Sequence, residues 1–344
     1  MDRLVVSFAR LTKDARMVGA TMSALIGLLP MPGGALFSAP MVESSFTEYP
    51  ITSEQKTALN YWFRHIWEYW RPLYPGVVLA VALLDVETWR FMAVMAPMTL
   101  VSVLAGSFFI LRPLARMDGN NKGNLSWSRI KTFLWELMPI LIVVLVIILL
   151  AVLTVISGTL GFNIKIPGAI SLLPGLIASI IWVCVVNHTS FRQFRSAVIN
   201  GNILPMIFLI IAIMIFQGIM TKSGAVIQIR NELMAYKVPV ILVIIAMPFL
   251  SGLVTGIAIG FVGASFPLII PMFQTGNMIE YLSFAALAYT FGYMGMMLSP
   301  VHLCFLVTKD YFKASFLNSY RLIMLPALTV MLIGVILFLI IDFL

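Results

Sequence analysis

The chain has 344 residues, 61% of them hydrophobic and 10% charged, with 22 Lys and Arg against 14 Asp and Glu for a formal net charge of +8. So apolar a balance excludes a soluble enzyme or soluble binding module and indicates an all-α polytopic membrane protein. The basic residues lie in short loops rather than in one patch with interleaved aromatics, so positive-inside bias accounts for the charge, with the lipid bilayer as partner and no nucleic acid.

Leu4 to Lys13 forms an amphipathic piece, with Leu4, Val5, Phe8 and Leu11 on one face and Arg3, Arg10 and Lys13 elsewhere. It is predicted to lie in the membrane interface. Asp2, Asp14 and the absence of a signal-type apolar core predict no cleaved leader.

From Arg16 to Glu43 the sequence has no charge between its ends, yet GLLPMPGGALFSAP (Gly27 to Pro40) places three prolines and three glycines there. Non-helical backbone at membrane depth is tolerated only where protein or a water-filled cavity satisfies its N–H and C=O groups. Residues 17–45 are therefore predicted to form a re-entrant hairpin with Pro32, Gly33 and Gly34 at its tip. The alternative is a proline-kinked single span packed through small residues.

A polar connector from Glu43 to Lys56 leads into the aromatic-dense segment from Asn60 to Leu84, which Pro72, Pro75 and Gly76 interrupt. Proline removes a backbone donor and clashes with the preceding turn, so residues 59–84 read as a broken transmembrane helix. Residues 91–111 form an ordinary span. The loop 112–131, with Arg112, Arg116, Lys122, Arg129 and Lys131 against Asp118, is the clearest cytoplasmic marker.

In residues 132–344, three spans are predicted at about Leu137 to Ser157, Ala169 to Val186 and Ile199 to Met220, followed by a second amphipathic segment, 222–237. The uncharged tract from Val238 to Ile279 is too long for one crossing at about 1.5 Å per helical residue. Its interior, PFLSGLVTGIAIGFVGASFP, is rich in small and turn-forming residues, which predicts a second re-entrant hairpin at about 238–275. A second broken helix, 281–307, and a final span, 322–341, complete the chain.

The two parts, 1–111 and 132–344, repeat one order: amphipathic piece, apolar tract broken by Gly and Pro, interrupted helix. Ser38-x-Pro40 and Ser265-x-Pro267 hold equivalent places, and Phe63 to Pro72 has the spacing of Phe291 to Pro300. With the loop 112–131 inside, the first broken tract enters from the cytoplasmic side and the second from the opposite side. The expectation is a pair of inverted-topology repeats, the sequence signature of a secondary transporter, with its site at the interrupted segments. The second repeat begins with three spans that the first lacks, so the first repeat is expected to be N-terminally short.

IGLLPMPGGALFSAPMVE (Ile26 to Glu43), preceded by LTKDARM and followed by LNYWFRHIWEYWRPLYPG (Leu59 to Gly76), resembles the integral-membrane family catalogued as domain of unknown function family 401. That family is grouped with the ion transporter superfamily of citrate, dicarboxylate, gluconate, arsenite and sodium/proton carriers. The resemblance implies an inverted-repeat carrier with two re-entrant hairpins, homodimeric and of elevator type. It implies no substrate.

Ser38, Ser251, Thr255 and Ser265 are small hydroxyls beside the breaks, and Ser299 lies in the second broken helix. Such groups suit a carboxylate or a sodium shell completed by backbone carbonyls; the bland reading is a hydroxyl bonded to its own helix backbone. Glu43 follows the first hairpin and reads equally as a proton or cation group and as a solvated interfacial carboxylate. Arg64, His65 and Glu68 fall at helical spacings that place Glu68 beside both basic groups. They suit anion binding or proton coupling, or else form part of an aromatic belt with snorkelling charges.

His302 beside Pro300 is a polar ligand or inert furniture. Cys184 and Cys304 lie in apolar runs as small hydrophobes, and three histidines so widely separated predict no metal constellation. No nucleophile elbow, phosphate loop or metalloprotease motif is present, so no enzyme is expected. The expected function is secondary transport of a small organic anion across the cytoplasmic membrane by a multi-pass protein, without cofactor and coupled to Na+ or H+. The alternative is an Na+/H+ antiporter or inorganic-ion carrier acting through Glu43 or Glu68.

Overall fold

Helices are the regular elements of the computed structural model, with no strand among the described residues. The structure describes residues 14–28, 34–46, 51–114, 127–159, 168–190, 192–193, 195, 203–224, 228, 231–232, 235–273 and 275–342. The amphipathic piece at Leu4 to Lys13, Pro32 and Gly33 at the expected tip, residues 115–126 of the basic loop and much of the segment 222–237 lie outside the described residues.

Helices α1 (Ala15–Gly27) and α2 (Gly34–Ser45) occupy the first interrupted tract and pack on one another. Asp14 caps α1, its carboxylate accepting from Arg16 N at 3.0 Å, which satisfies one of the amides a helix start leaves open. Helix α3 (Ser53–Arg64) begins with a reciprocal capping box between Thr52 and Gln55. It ends where the sequence placed the break: residues 65–70 are turns, and Pro75 opens α4 (Pro75–Leu84) from the first helical position, where its missing N–H costs nothing. Asp85 ends α4 in the left-handed region, and α5 (Thr88–Gly106) continues through a π-turn to Leu111.

Helix α6 (Trp127–Thr159) starts inside the stretch expected as loop. Charge marks where the hydrocarbon ends, whereas a helix continues into the aqueous phase wherever its backbone bonds persist. Helices α7 (Gly168–Val186) and α8 (Ile203–Ser223) follow. The second interrupted tract holds α9 (Val240–Thr255) and α10 (Ala258–Ile269), and its break falls at Gly256, which adopts φ 64°. Pro248 and Pro267 stay within those helices, as Pro40, Pro97 and Pro326 do elsewhere. The final elements are α11 (Met278–Met297), α12 (Leu303–Phe312), separated from α11 by residues 298–302, and α13 (Phe316–Asp342).

Three segments of the described helices are long and apolar enough to cross a membrane: Thr88–Leu111, Met138–Thr159 and Phe316–Ile341. Their outward faces fit a lipid solvent. Leu145, Leu149 and Val155 of α6, like Leu325, Leu328 and Leu332 of α13, are exposed large apolar side chains.

The core forms where the interrupted elements meet. Helix α1 packs on α3 and α9 on α11, while the second arms cross over: α2 packs on α12 and α10 packs on α4. The α9–α11 crossing depends on glycine. A methyl on Gly295 would lie 2.1 Å from the Phe249 carbonyl oxygen, and one on Gly252 would lie 2.2 Å from that of Gly292. Tyr61, Trp62, Tyr69, Tyr289 and Tyr293 fill the centre without exposure, so the densest aromatic packing surrounds the two breaks.

Candidate functional site

The turn that follows α3 carries Arg64, His65, Glu68 and Arg71 into this centre. Their relative exposures, 4%, 2%, 5% and 3%, place them inside the protein rather than at a snorkelling interface. The helical face inferred for them from spacing is replaced by turns. Glu68 N bonds the His65 carbonyl at 3.3 Å and Arg71 N bonds that of Trp67 at 3.2 Å. Tyr293 of α11 ties the turn together by bonding the His65 carbonyl at 2.7 Å and Glu68 Oε2 at 3.2 Å, and Tyr289 donates to the Glu68 carbonyl at 3.1 Å.

Both interrupted helices contact the end of a neighbouring first arm. Arg71 Nη1 donates to the carbonyl of Gly27, the last residue of α1, and His302 Nδ1 donates to that of Gly256 at 2.6 Å. Glycine is required at position 27, because a methyl there would lie 1.9 Å from the Arg64 carbonyl oxygen. The Arg64 guanidinium covers the start of α2, where a methyl on Gly34 would lie 2.6 Å from Arg64 Nη2. Two guanidinium groups thus share the buried space with the single carboxylate of Glu68. Buried charge is costly unless compensated, and Arg71 Nε has no hydrogen-bond partner among the described residues.

The two parts of the chain meet at the histidines. His65 Nε2 and His302 Nε2 are 3.3 Å apart, and His65 Nδ1 donates to the Tyr61 carbonyl at 2.6 Å. One donor atom each from His65, His302 and Cys304 lies within 4.8 Å of the others. This corrects the expectation that the histidines stay apart. Arg64 Nη1, however, lies 3.3 Å from both His65 Nε2 and Cys304 Sγ, so a guanidinium donor already engages two of the atoms a metal would need. We therefore do not read the trio as a metal site.

The hydroxyls expected at the breaks divide. Ser38 bonds the Gly34 and Ala35 carbonyls, Thr255 bonds that of Ser251 and Ser265 that of Phe261, all within their own helices. Ser251 is half-buried and contributes that carbonyl. Ser299 is buried beside Gly256 and accepts from Val301 N at 3.3 Å. Glu43 is exposed and accepts from Tyr311 at 2.8 Å. Sequence reasoning missed Arg71, although its place three residues after Glu68 and directly before Pro72 was a usable signal. The tyrosine network and Cys304 carried no local signal, because their partners are remote in sequence.

Described residues whose regular elements are all helical, with three helices among them suited to crossing a membrane and a charged, histidine-bearing centre at the helix breaks, define the class. The chain belongs to the family described as protein of unknown function (DUF401), whose sequence model matches residues 10–341. No curated protein matches it.

Proposed function

We propose that the chain is a multi-pass secondary transporter of the cytoplasmic membrane, which moves a small organic anion coupled to Na+ or H+. The observation that carries this reading is the buried excess of positive charge at the meeting of the two helix breaks. Arg64 and Arg71 are buried together with Glu68, the one buried carboxylate among the described residues, and Arg71 Nε has no hydrogen-bond partner among them. A carboxylate there would receive charge-assisted hydrogen bonds, and the two amino groups of a guanidinium fork suit its two oxygens.

In this reading the α1–α2 and α9–α10 pairs are re-entrant hairpins of inverted repeats. The crossed packing of α2 on α12 and of α10 on α4 supports it, since each pair would then contribute to both repeats. So does the spacing. Phe63, Pro72, Pro75, Leu84 and Asp85 precede Phe291, Pro300, Leu303, Phe312 and Lys313 by one constant interval, and both Asp85 and Lys313 end ten-residue helices in the left-handed region. Alternating access would move the hairpins and breaks against the scaffold of α5, α6 and α13.

The test is thermal stabilisation of the purified protein by mono-, di- and tricarboxylates, sugar acids and inorganic anions, with and without sodium, at two pH values. Binding to the folded state raises the melting temperature by mass action. A sodium- or pH-dependent shift with an organic acid is expected. Stabilisation by sodium or pH alone would replace this reading with the antiporter.

A further inference from the structure

The hydrogen bonds around the two central imidazoles fix where their hydrogens lie. A carbonyl oxygen only accepts, so the 2.6 Å contacts to the Tyr61 and Gly256 carbonyls place a hydrogen on Nδ1 of both His65 and His302. Arg64 Nη1 only donates, so its 3.3 Å contact makes His65 Nε2 an acceptor. His302 Nε2 faces that same acceptor at 3.3 Å. Two bare nitrogen lone pairs would repel there; a hydrogen on His302 Nε2 turns the contact into a hydrogen bond. With hydrogens on both nitrogens, His302 would be an imidazolium.

We propose that His302 binds the coupling proton of this carrier, held as an imidazolium whose Nε2–H is donated to His65 of the other half of the chain. The step is a simple uptake of one proton by the His302 Nε2 lone pair, with no bond to any other atom broken. The coupling half of the proposal rests on the anion-carrier reading; the proton site itself does not.

The surroundings explain why proton and anion would travel together. Arg64 and Arg71 on the turn after α3, Glu68 on the same turn, Tyr61 on α3, Tyr293 on α11 and Cys304 on α12 are the titratable and charged groups facing the pair. Among the described charged groups, two guanidinium groups and one carboxylate leave one positive charge, and the imidazolium would add a second. A dicarboxylate would balance both. Net charge in a buried space is costly, so each ligand strengthens binding of the other, and by linkage the strengthening is reciprocal. The interruption at Ser299 to His302 and the left-handed Gly256 put this group on the elements that would move in the carrier reading, where access for the proton would change with that for the anion.

The test is nitrogen-15 magnetic resonance of histidine-labelled full-length protein in lipid nanodiscs, with His188→Asn removing the only other histidine signal. As the pH is lowered, one imidazole is expected to pass from singly to doubly protonated. The change is lost in His302→Gln, and in His65→Gln, which keeps an acceptor oxygen, it persists at a shifted midpoint. Succinate should move the midpoint to higher pH. Two neutral imidazoles throughout, or a spectrum that responds to added zinc and not to pH, would overturn the proposal.

Uptake of labelled carboxylates into proteoliposomes separates the two readings. Proton-driven uptake that His302→Gln leaves fully pH-dependent removes the coupling role and keeps the carrier. A titrating His302 with no uptake under any gradient keeps the proton site and removes the carrier.

Discussion

Arg71 and Ser38 are both buried polar residues beside a helix break, but their hydrogen bonds give them different weight. Arg71 extends one guanidinium arm to the Gly27 carbonyl and has no partner for Nε among the described residues, whereas Ser38 spends its hydroxyl on its own helix. Arg71→Gln should weaken carboxylate binding roughly ten- to a hundredfold, about 1.5–3 kcal/mol for a hydrogen bond to a charged group. The readout is the concentration of acid needed for half-maximal thermal stabilisation; an unchanged value would remove Arg71 from the site. Ser38→Ala should leave that concentration unaltered and change stability by no more than about 1 kcal/mol. Glu43→Gln should likewise preserve ion-coupled uptake, because the Glu43 side chain is exposed on Tyr311; a loss of coupling would return that carboxylate to the ion path.

Elements cross closely here because glycine permits it, and the cost of a methyl can be ranked from the contacts it would meet. Gly295→Ala drives a methyl into the Phe249 carbonyl, which is backbone and cannot rotate away, so α9 and α11 must separate. Overpacking of this kind costs about 1–3 kcal/mol or more, and a clear fall in melting temperature is expected. Gly276→Ala meets nothing within 4 Å and should leave the melting temperature in place; equal losses in both would refute the crossing. Thr52→Ala removes half of the α3 capping box and should cost about 1 kcal/mol. The start of α3 and the interruption after Arg64 were legible, since a capping residue and two prolines act locally. The site of the second break was not. Of the prolines and glycines from Pro248 to Pro267 only Gly256 departs from helix, while Pro248 and Pro267 stay inside theirs.

At the scale of the whole molecule, the second arm of each helix pair packs on a helix from the other part of the chain. A chain divided between Leu114 and Trp127 should therefore yield two pieces that copurify when expressed together, with α2 bound to α12 and α4 to α10 across the cut. Either piece alone should fail to give a monodisperse species in detergent. Two independently stable pieces would show that the crossed contacts contribute little.

Composition and the spacing of charges determined that this is a helical protein with segments suited to a membrane, because the cost of placing charge in hydrocarbon acts on each residue by itself. Proline and the small residues likewise marked the interrupted elements, because backbone preferences are local. Which polar groups share the centre was decided by tertiary structure alone. His65 and His302 stand far apart in sequence and meet only because the α3 turn and the α11–α12 break are brought together, with α3 packed on α12. The same packing buries Arg64, Glu68 and Arg71, whose pattern reads equally as an interfacial belt until their solvent exposure is known.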